Sequence, residues 1–218
     1  GAPVWTFEAR PRGDLVLGHG RMMSLWPGRT AGLIDGGVAY FAAGLFPGEE
    51  LYLYAVDART GALVWKNDTY AQGGKGTVSP QGYLAASKDI LYVPSGRAMP
   101  AAFSRADGAL LFHRNFNWRS IGLFGGTYTQ LAGDLLLNGT EQILAVKARD
   151  GQLAFTDEAR CLVLDAGRVY LLDGKEIVCC EEKTWAAVRT ELLALKYQID
   201  AQRGGVNDLR TRSRSDKT

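Results

Sequence analysis

Two histidines and three cysteines in 218 residues leave little material for metal or redox chemistry. His19 stands between Gly18 and Gly20, and His113 follows Phe112. Neither belongs to an H-x-x-H or H-E-x-x-H pattern, so no histidine-based metal site is expected. The cysteines cannot all pair; Cys161 and the adjacent Cys179 and Cys180 read as small buried apolar side chains. There is no C-x-x-C-H haem site. Gly73, Gly74 and Gly76 surround Lys75 but lack the Gly-Lys-Ser/Thr ending and the helix that a phosphate loop needs. No run approaches the roughly 20 apolar residues that span a bilayer. No signal peptide is visible in this chain. Charge of one sign is scarce too: the formal net charge is +2, and the excess sits in the tail Arg203 to Thr218. The body has no electrostatic reason to seek nucleic acid. No nucleophile, acid–base pair or ligand cluster stands out, so no catalytic, cofactor-binding or metal residue is nominated.

What is present is glycine, at 27 residues, and a recurring turn. Asp57 to Gly61 (DARTG) returns as Ser104 to Gly108 (SRADG) and as Lys147 to Gly151 (KARDG), so the glycines fall 47 and 43 residues apart. Glycine at the end of a tight hairpin supplies the positive φ that other residues avoid. After each turn a short strand closes on an aromatic: Trp65, Phe112 and Phe155. Before each lies a strand pair, such as Ile90 to Pro94 with Ala101 to Ser104. Gly1 to Trp5 (GAPVW) matches Gly61 to Trp65 (GALVW) at four of five positions, so it reads as an outer strand. Cys161 to Leu164, Arg168 to Leu172 and Glu176 to Cys180 read as three strands without a fourth. Four short strands repeated at intervals in the forties predict an all-β propeller of four-stranded antiparallel blades. About four blades are expected, the first and last incomplete, over residues 1–182, in a partial or complete ring.

The run Leu51 to Trp65, LYLYAVDARTGALVW, resembles the PQQ-like (quinoprotein-type) β-propeller repeat. More narrowly, the stretches at Trp26 to Arg29, Val38 to Gly44, Tyr92 to Arg97 and Arg105 to Gly108 are similar to large propeller proteins of planctomycete-type bacteria. The resemblance implies a periplasmic or extracellular protein and a ring of seven or eight blades. The missing blades would then come from the same or another chain. In the compact alternative, Pro3 to Phe7 adds to the last three strands and closes four blades. The adjacent cysteines resemble the disulfide ring over the cofactor of true quinoprotein dehydrogenases, but here they precede a helix rather than sit in a loop.

Three residues are candidates for a ligand mouth: Trp26 and Arg29, which flank a Pro-Gly turn, and Arg97, in a turn bracketed by Pro94 and Pro100. A guanidinium forks onto carboxylate geometry, although each can equally serve packing between blades. The stretch Asn115 to Gly126, with Phe116, Trp118 and Phe124, reads as wedge filling. Asn138 to Thr140 fits a glycosylation sequon by pattern, but Asn138-Gly139 reads as a hairpin turn. From Lys183 the period changes. Trp185, Val188, Leu192, Leu195 and Ile199 recur at intervals of three and four on a helix over 183–203, with Thr184 as its cap. Gly204-Gly205 is expected to stop it, leaving a disordered basic tail over 204–218. The helix seam is a candidate for docking a partner protein. The leading expectation is therefore a non-catalytic binding or scaffold module, with no cofactor. The alternatives are a PQQ-dependent dehydrogenase-like subunit and an accessory propeller of an electron-transfer complex.

Overall fold

The computed structural model describes residues 1–44, 50–69, 78–96, 98–114, 125–139, 142–159 and 162–215, with helix side chains to residue 203. A hairpin, β1 (Leu15–Gly18) and β2 (Arg21–Ser24), precedes three four-stranded antiparallel sheets and a three-stranded one. Blade one is β4 (Leu33–Asp35), β5 (Val38–Ala43), β6 (Tyr52–Asp57) and β7 (Leu63–Asn67). Blade two is β9 (Ala85–Ala86), β10 (Ile90–Ser95), β11 (Ala98–Ser104) and β12 (Leu110–His113). Blade three is β13 (Tyr128–Ala132), β14 (Leu135–Gly139), β15 (Ile143–Lys147) and β16 (Leu153–Asp157). Blade four is β17 (Leu162–Asp165), β18 (Arg168–Asp173) and β19 (Glu176–Glu181), after which the helix α1 (Glu182–Ser215) begins. The third strands of blades one and three are buried on both faces, so they read as unbroken apolar runs, Tyr52 to Val56 and Ile143 to Val146, rather than as alternation.

The repeated turn is built the same way three times. Gly61, Gly108 and Gly151 all have φ near +70° and donate their N–H to the carbonyl oxygens of Asp57, Ser104 and Lys147 at 2.8–2.9 Å. Each turn is followed by a register shift in the outer hairpin, between Ala55/Val56, Ala102/Phe103 and Ala145/Val146. One extra residue per hairpin accompanies a glycine-ended loop, and it adds local twist. A second bond recurs beside it: the N–H groups of Ala58, Arg105 and Ala148 reach back to the carbonyls of Gly37, Asp89 and Asp134. Near the inner ends, β3 (Thr30–Ala31) and β8 (Gly82–Tyr83) pair in parallel, tying blade one to blade two through main-chain bonds.

Several expectations change. Residues 1–9 form no strand and do not complete blade four; Trp5 and Phe7 pack on blade one, and β19 remains an unpaired edge. The described sheets therefore form an arc and no closed ring. The stretch 10–20 contains β1, with His19 at φ 50° in the turn to β2. Pro94 and Pro100 lie inside strands; a register shift between Val93 and Ser95 accommodates the first, as a proline in a central strand requires. Asn138-Gly139 ends β14 rather than forming a hairpin turn. Asn138 is buried, and its amide bonds both Gly126 and the Thr129 hydroxyl, so it offers nothing to a modifying enzyme. Cys179 is exposed, not buried, because alternate residues of an edge strand face outward; Cys180 faces the core. Cys161, the glycines around Lys75, and Phe116, Trp118 and Phe124 lie outside the described residues. The helix runs through Gly204-Gly205 to Ser215. Glycine costs a helix about 1 kcal/mol relative to alanine but keeps its N–H, so it stops a helix only where it turns left-handed. The N-terminal acceptor is Glu181 rather than Thr184, which donates both its N–H and its hydroxyl to that carboxylate.

Candidate docking surfaces and the joints between blades

Aromatic side chains from one unit meet the turn glycine of the next. Trp5 donates its indole N–H to the carbonyl of Ala58 at 3.1 Å, and Trp65 does the same to Arg105 at 2.8 Å. A Cβ on Gly61 would stand 2.8 Å from the Trp5 ring, one on Gly108 2.6 Å from Trp65, and one on Gly151 2.7 Å from Phe112. Glycine is thus required twice at these positions, for its φ and for the flat ring laid on it. The residue two places after each aromatic strengthens the joint. Asn67 donates to the Gly108 carbonyl at 2.6 Å, and Arg114 donates to that of Asp150 at 2.9 Å.

At blade four the pattern is kept with different material. Glu182 donates its N–H to the carbonyl of Gly167, the bond made elsewhere by Ala58, Arg105 and Ala148. Three residues on, where those blades carry glycine, stands Trp185. Phe155 from blade three meets it edge-on, ring centres 4.9 Å apart at 87°. Its indole N–H bonds Asp157 at 2.9 Å, two places after Phe155, and Arg189 closes an ion pair on the same oxygen at 2.7 Å. The carboxylate of Asp157 is buried but not alone. The first turns of the helix therefore replace a turn and are anchored in the core through Trp185, Ala186 and Leu193.

Of the three candidate mouth residues, two fall within the described residues. Trp26 is 3 % exposed and packs with Ala43, Tyr52 and Tyr54, under the Arg12 guanidinium. Burial removes it from any ligand mouth. Arg29 donates to the Gln81 side chain at 2.9 Å, a contact between blades one and two. Arg97 lies outside the described residues. A cation the sequence analysis did not single out is Arg105. Its guanidinium bonds the Tyr40 hydroxyl (3.1 Å), the Ser87 carbonyl (2.5 Å) and the Asp35 carboxylate (2.6 Å). The Tyr40 bond is the main cause holding the guanidinium more firmly protonated than usual. In the turn of blade one the roles are reversed and local donors favour the charged form: the Thr60 hydroxyl and N–H hold Asp57 below the usual carboxylate range. Arg105 takes the position of Ala58 and Ala148 in its repeat, and only that departure from the repeat could have flagged it. Among the described residues, no cluster of three His, Cys, Asp or Glu gathers to hold a metal ion.

Among the described residues, apolar side chains line two open hollows. The face of blade four forms a hollow of about 700 Å³ lined by Val163, Tyr170, Leu172 and Ile177. The other belongs to the helix. Of the five seam residues, Trp185 is buried, whereas Val188, Leu192, Leu195 and Ile199 are each 45–50 % exposed. A groove of about 470 Å³ runs beside them, bounded by Cys180, Thr184, Val188 and Leu192.

Together the glycine-ended turns, four-stranded wedges and aromatic joints define a PQQ-type β-propeller arc. The chain belongs to the family described as outer membrane protein assembly factor BamB, whose family model matches residues 49–213. No curated protein matches it. Among solved structures, BamB from Moraxella catarrhalis is similar at 16% identity with a TM-score of 0.52, over 72% of this chain and 50% of that one. The computationally designed Ika4 protein is 12% identical over 71% of this chain and 91% of its own, TM-score 0.49. Quinohemoprotein alcohol dehydrogenase from Comamonas testosteroni is 19% identical over 62% and 22%, TM-score 0.47. The chain thus spans about half the length of the BamB structure. Among the described residues no helix is long and apolar enough to cross a membrane.

Proposed function

We propose that the chain is a non-catalytic binding and scaffold module, part of a larger propeller or complex, and that it works in the periplasm or outside the cell. The observation that carries this reading is how the distinctive polar and aromatic side chains are used. Trp65, Asn67, Arg105 and Asp157 join one unit to the next, while the exposed apolar features are surfaces: the helix face and the outer face of blade four. Apolar surface gathered in patches is the mark of contact with other protein. Further blades, from the same or another chain, cover the arc's open faces, where Val163 and Ile177 stand exposed at one end and Leu17 and Met22 at the other. The helix docks a protein partner. The description of the family, an assembly factor for outer membrane proteins, supports both protein partners and export. The test is direct: the purified chain, given pyrroloquinoline quinone and calcium, is assayed for dye-linked alcohol oxidation. No turnover above the protein-free blank is expected, and sustained turnover would overturn the reading in favour of a dehydrogenase-like subunit.

A further inference from the structure

The exposed face of α1 is regular enough to name its occupant. Val188, Leu192, Leu195 and Ile199 follow one another at four, three and four residues, the alternation of a two-stranded coiled coil. In the sequence the same spacing passes Gln202 and recurs at Val206 and Leu209, and the backbone stays helical to Ser215. This stripe is not the one that holds the helix to the propeller, which uses Trp185, Ala186, Arg189 and Leu193. From residue 194 to 203 every position is exposed, Leu195, Tyr197 and Ile199 included. A helix uncovered all round is marginal in water, so its apolar stripe calls for a partner.

The flanking charges choose among partners. With Leu192 and Ile199 at the first core position of the repeat, Arg189, Lys196 and Arg203 fall on one flank, and Thr184, Glu191 and Gln198 on the other. In a parallel pair of identical helices, Glu191 of one copy lies opposite Lys196 of the other, and symmetry makes that contact twice. In an antiparallel pair the basic flank would face itself, setting Lys196 and Arg203 against their own kind, while Arg189 is held by Asp157. Among the described residues neither Glu191 nor Lys196 makes an ion pair within the chain, so both remain available. We infer that the face Val188, Leu192, Leu195 and Ile199 binds a second copy of this chain, as a parallel two-stranded coiled coil that sets two propeller arcs side by side. This rests on the docking role proposed above for the helix and names its partner.

Sedimentation of the full chain between about 1 and 100 µM tests it. The expected result is a monomer–dimer equilibrium that L195D combined with I199D shifts to monomer, with the propeller's melting transition unchanged because both side chains are exposed. E191K or K196E alone replaces two attractive contacts with two repulsive ones and weakens the dimer roughly tenfold. The two changes together restore it. With Cys161, Cys179 and Cys180 replaced by alanine, Gln202→Cys cross-links to its own copy on mild oxidation, as parallel helices require. A monomer throughout, a dimer indifferent to L195D and I199D, or charge reversals that fail to compensate would overturn the inference. None of those outcomes bears on the non-catalytic reading, which the turnover assay judges separately.

Discussion

Trp185 lies edge-on to Phe155 with its indole N–H on Asp157, at the point in the repeat where Gly61, Gly108 and Gly151 receive a flat ring. The helix is thus an integral joint of the fold rather than an appendage. Trp185→Ala removes a buried aromatic and one of the three donors to a buried carboxylate, the others being the Arg189 guanidinium and the Ala159 N–H, so it should cost about 3–5 kcal/mol. Urea unfolding measures the loss. Amide exchange should also quicken over 182–193 while the three complete blades keep their protection. Trp185→Phe keeps the ring and loses only the donor, for roughly 1–2 kcal/mol.

Gly108 and Gly133 both have positive φ, but only the first has a ring against it, with Trp65 2.6 Å from the would-be Cβ and nothing within 4 Å at Gly133. Gly133→Ala should cost only the backbone strain, about 1 kcal/mol. Gly108→Ala should cost about 2–4 kcal/mol, because an overpacked contact adds to that strain. The difference between the two denaturation midpoints isolates the docking contact.

Arg105 binds two carbonyl-bearing blades, a phenol and a carboxylate through one planar fork. Arg105→Ala should lower stability by about 2–3 kcal/mol, since the Tyr40 hydroxyl and the Ser87 carbonyl lose their partner. Asp35 is half exposed and adds little of this. Arg105→Lys keeps the charge but not the fork and should recover less than half of the loss. Thermal melting of the three proteins under one buffer settles it.

Asp57 accepts from the Arg59 and Thr60 N–H groups and the Thr60 hydroxyl, and these donors hold its carboxyl below the ordinary value of 3.8. A lowered folded-state value means that the charged form stabilises the fold above pH 3.8 and that this contribution fades as pH falls through the lowered value. Asp57→Asn should melt below the parent at neutral pH, and the gap between the two should close in acid. Parallel melting curves that keep a constant gap down to strong acid would count against the turn's charge as its cause.

The repeat is legible in the sequence because its physics is local: a glycine with positive φ, an aromatic after it and a fixed spacing leave marks within a few neighbours. The joints are partly hidden because they are made between residues about 40 apart, as Trp65 to Arg105 and Asn67 to Gly108 are. Periodicity puts Trp185 on the right helix but on the wrong face. Its seam partners share its period, and only the presence of Phe155 and Asp157 draws it into the core. Trp26 and Arg29 look available for the same reason, since the side chains that cover them, Tyr52 and Gln81, come from distant turns. The helix end is not legible from Gly204-Gly205, because a glycine pair marks a stop only in company with a left-handed residue.

Each of the three complete blades receives a ring on its turn glycine and sends one ring forward, whatever residue two places on strengthens the joint. Excising 66–112 would leave Trp65 facing the turn of Gly151, a seat already shaped for a ring. Duplication or loss of whole units is therefore a mild change for such a chain, and the length of the arc is free to drift where the sequence of any one joint is not.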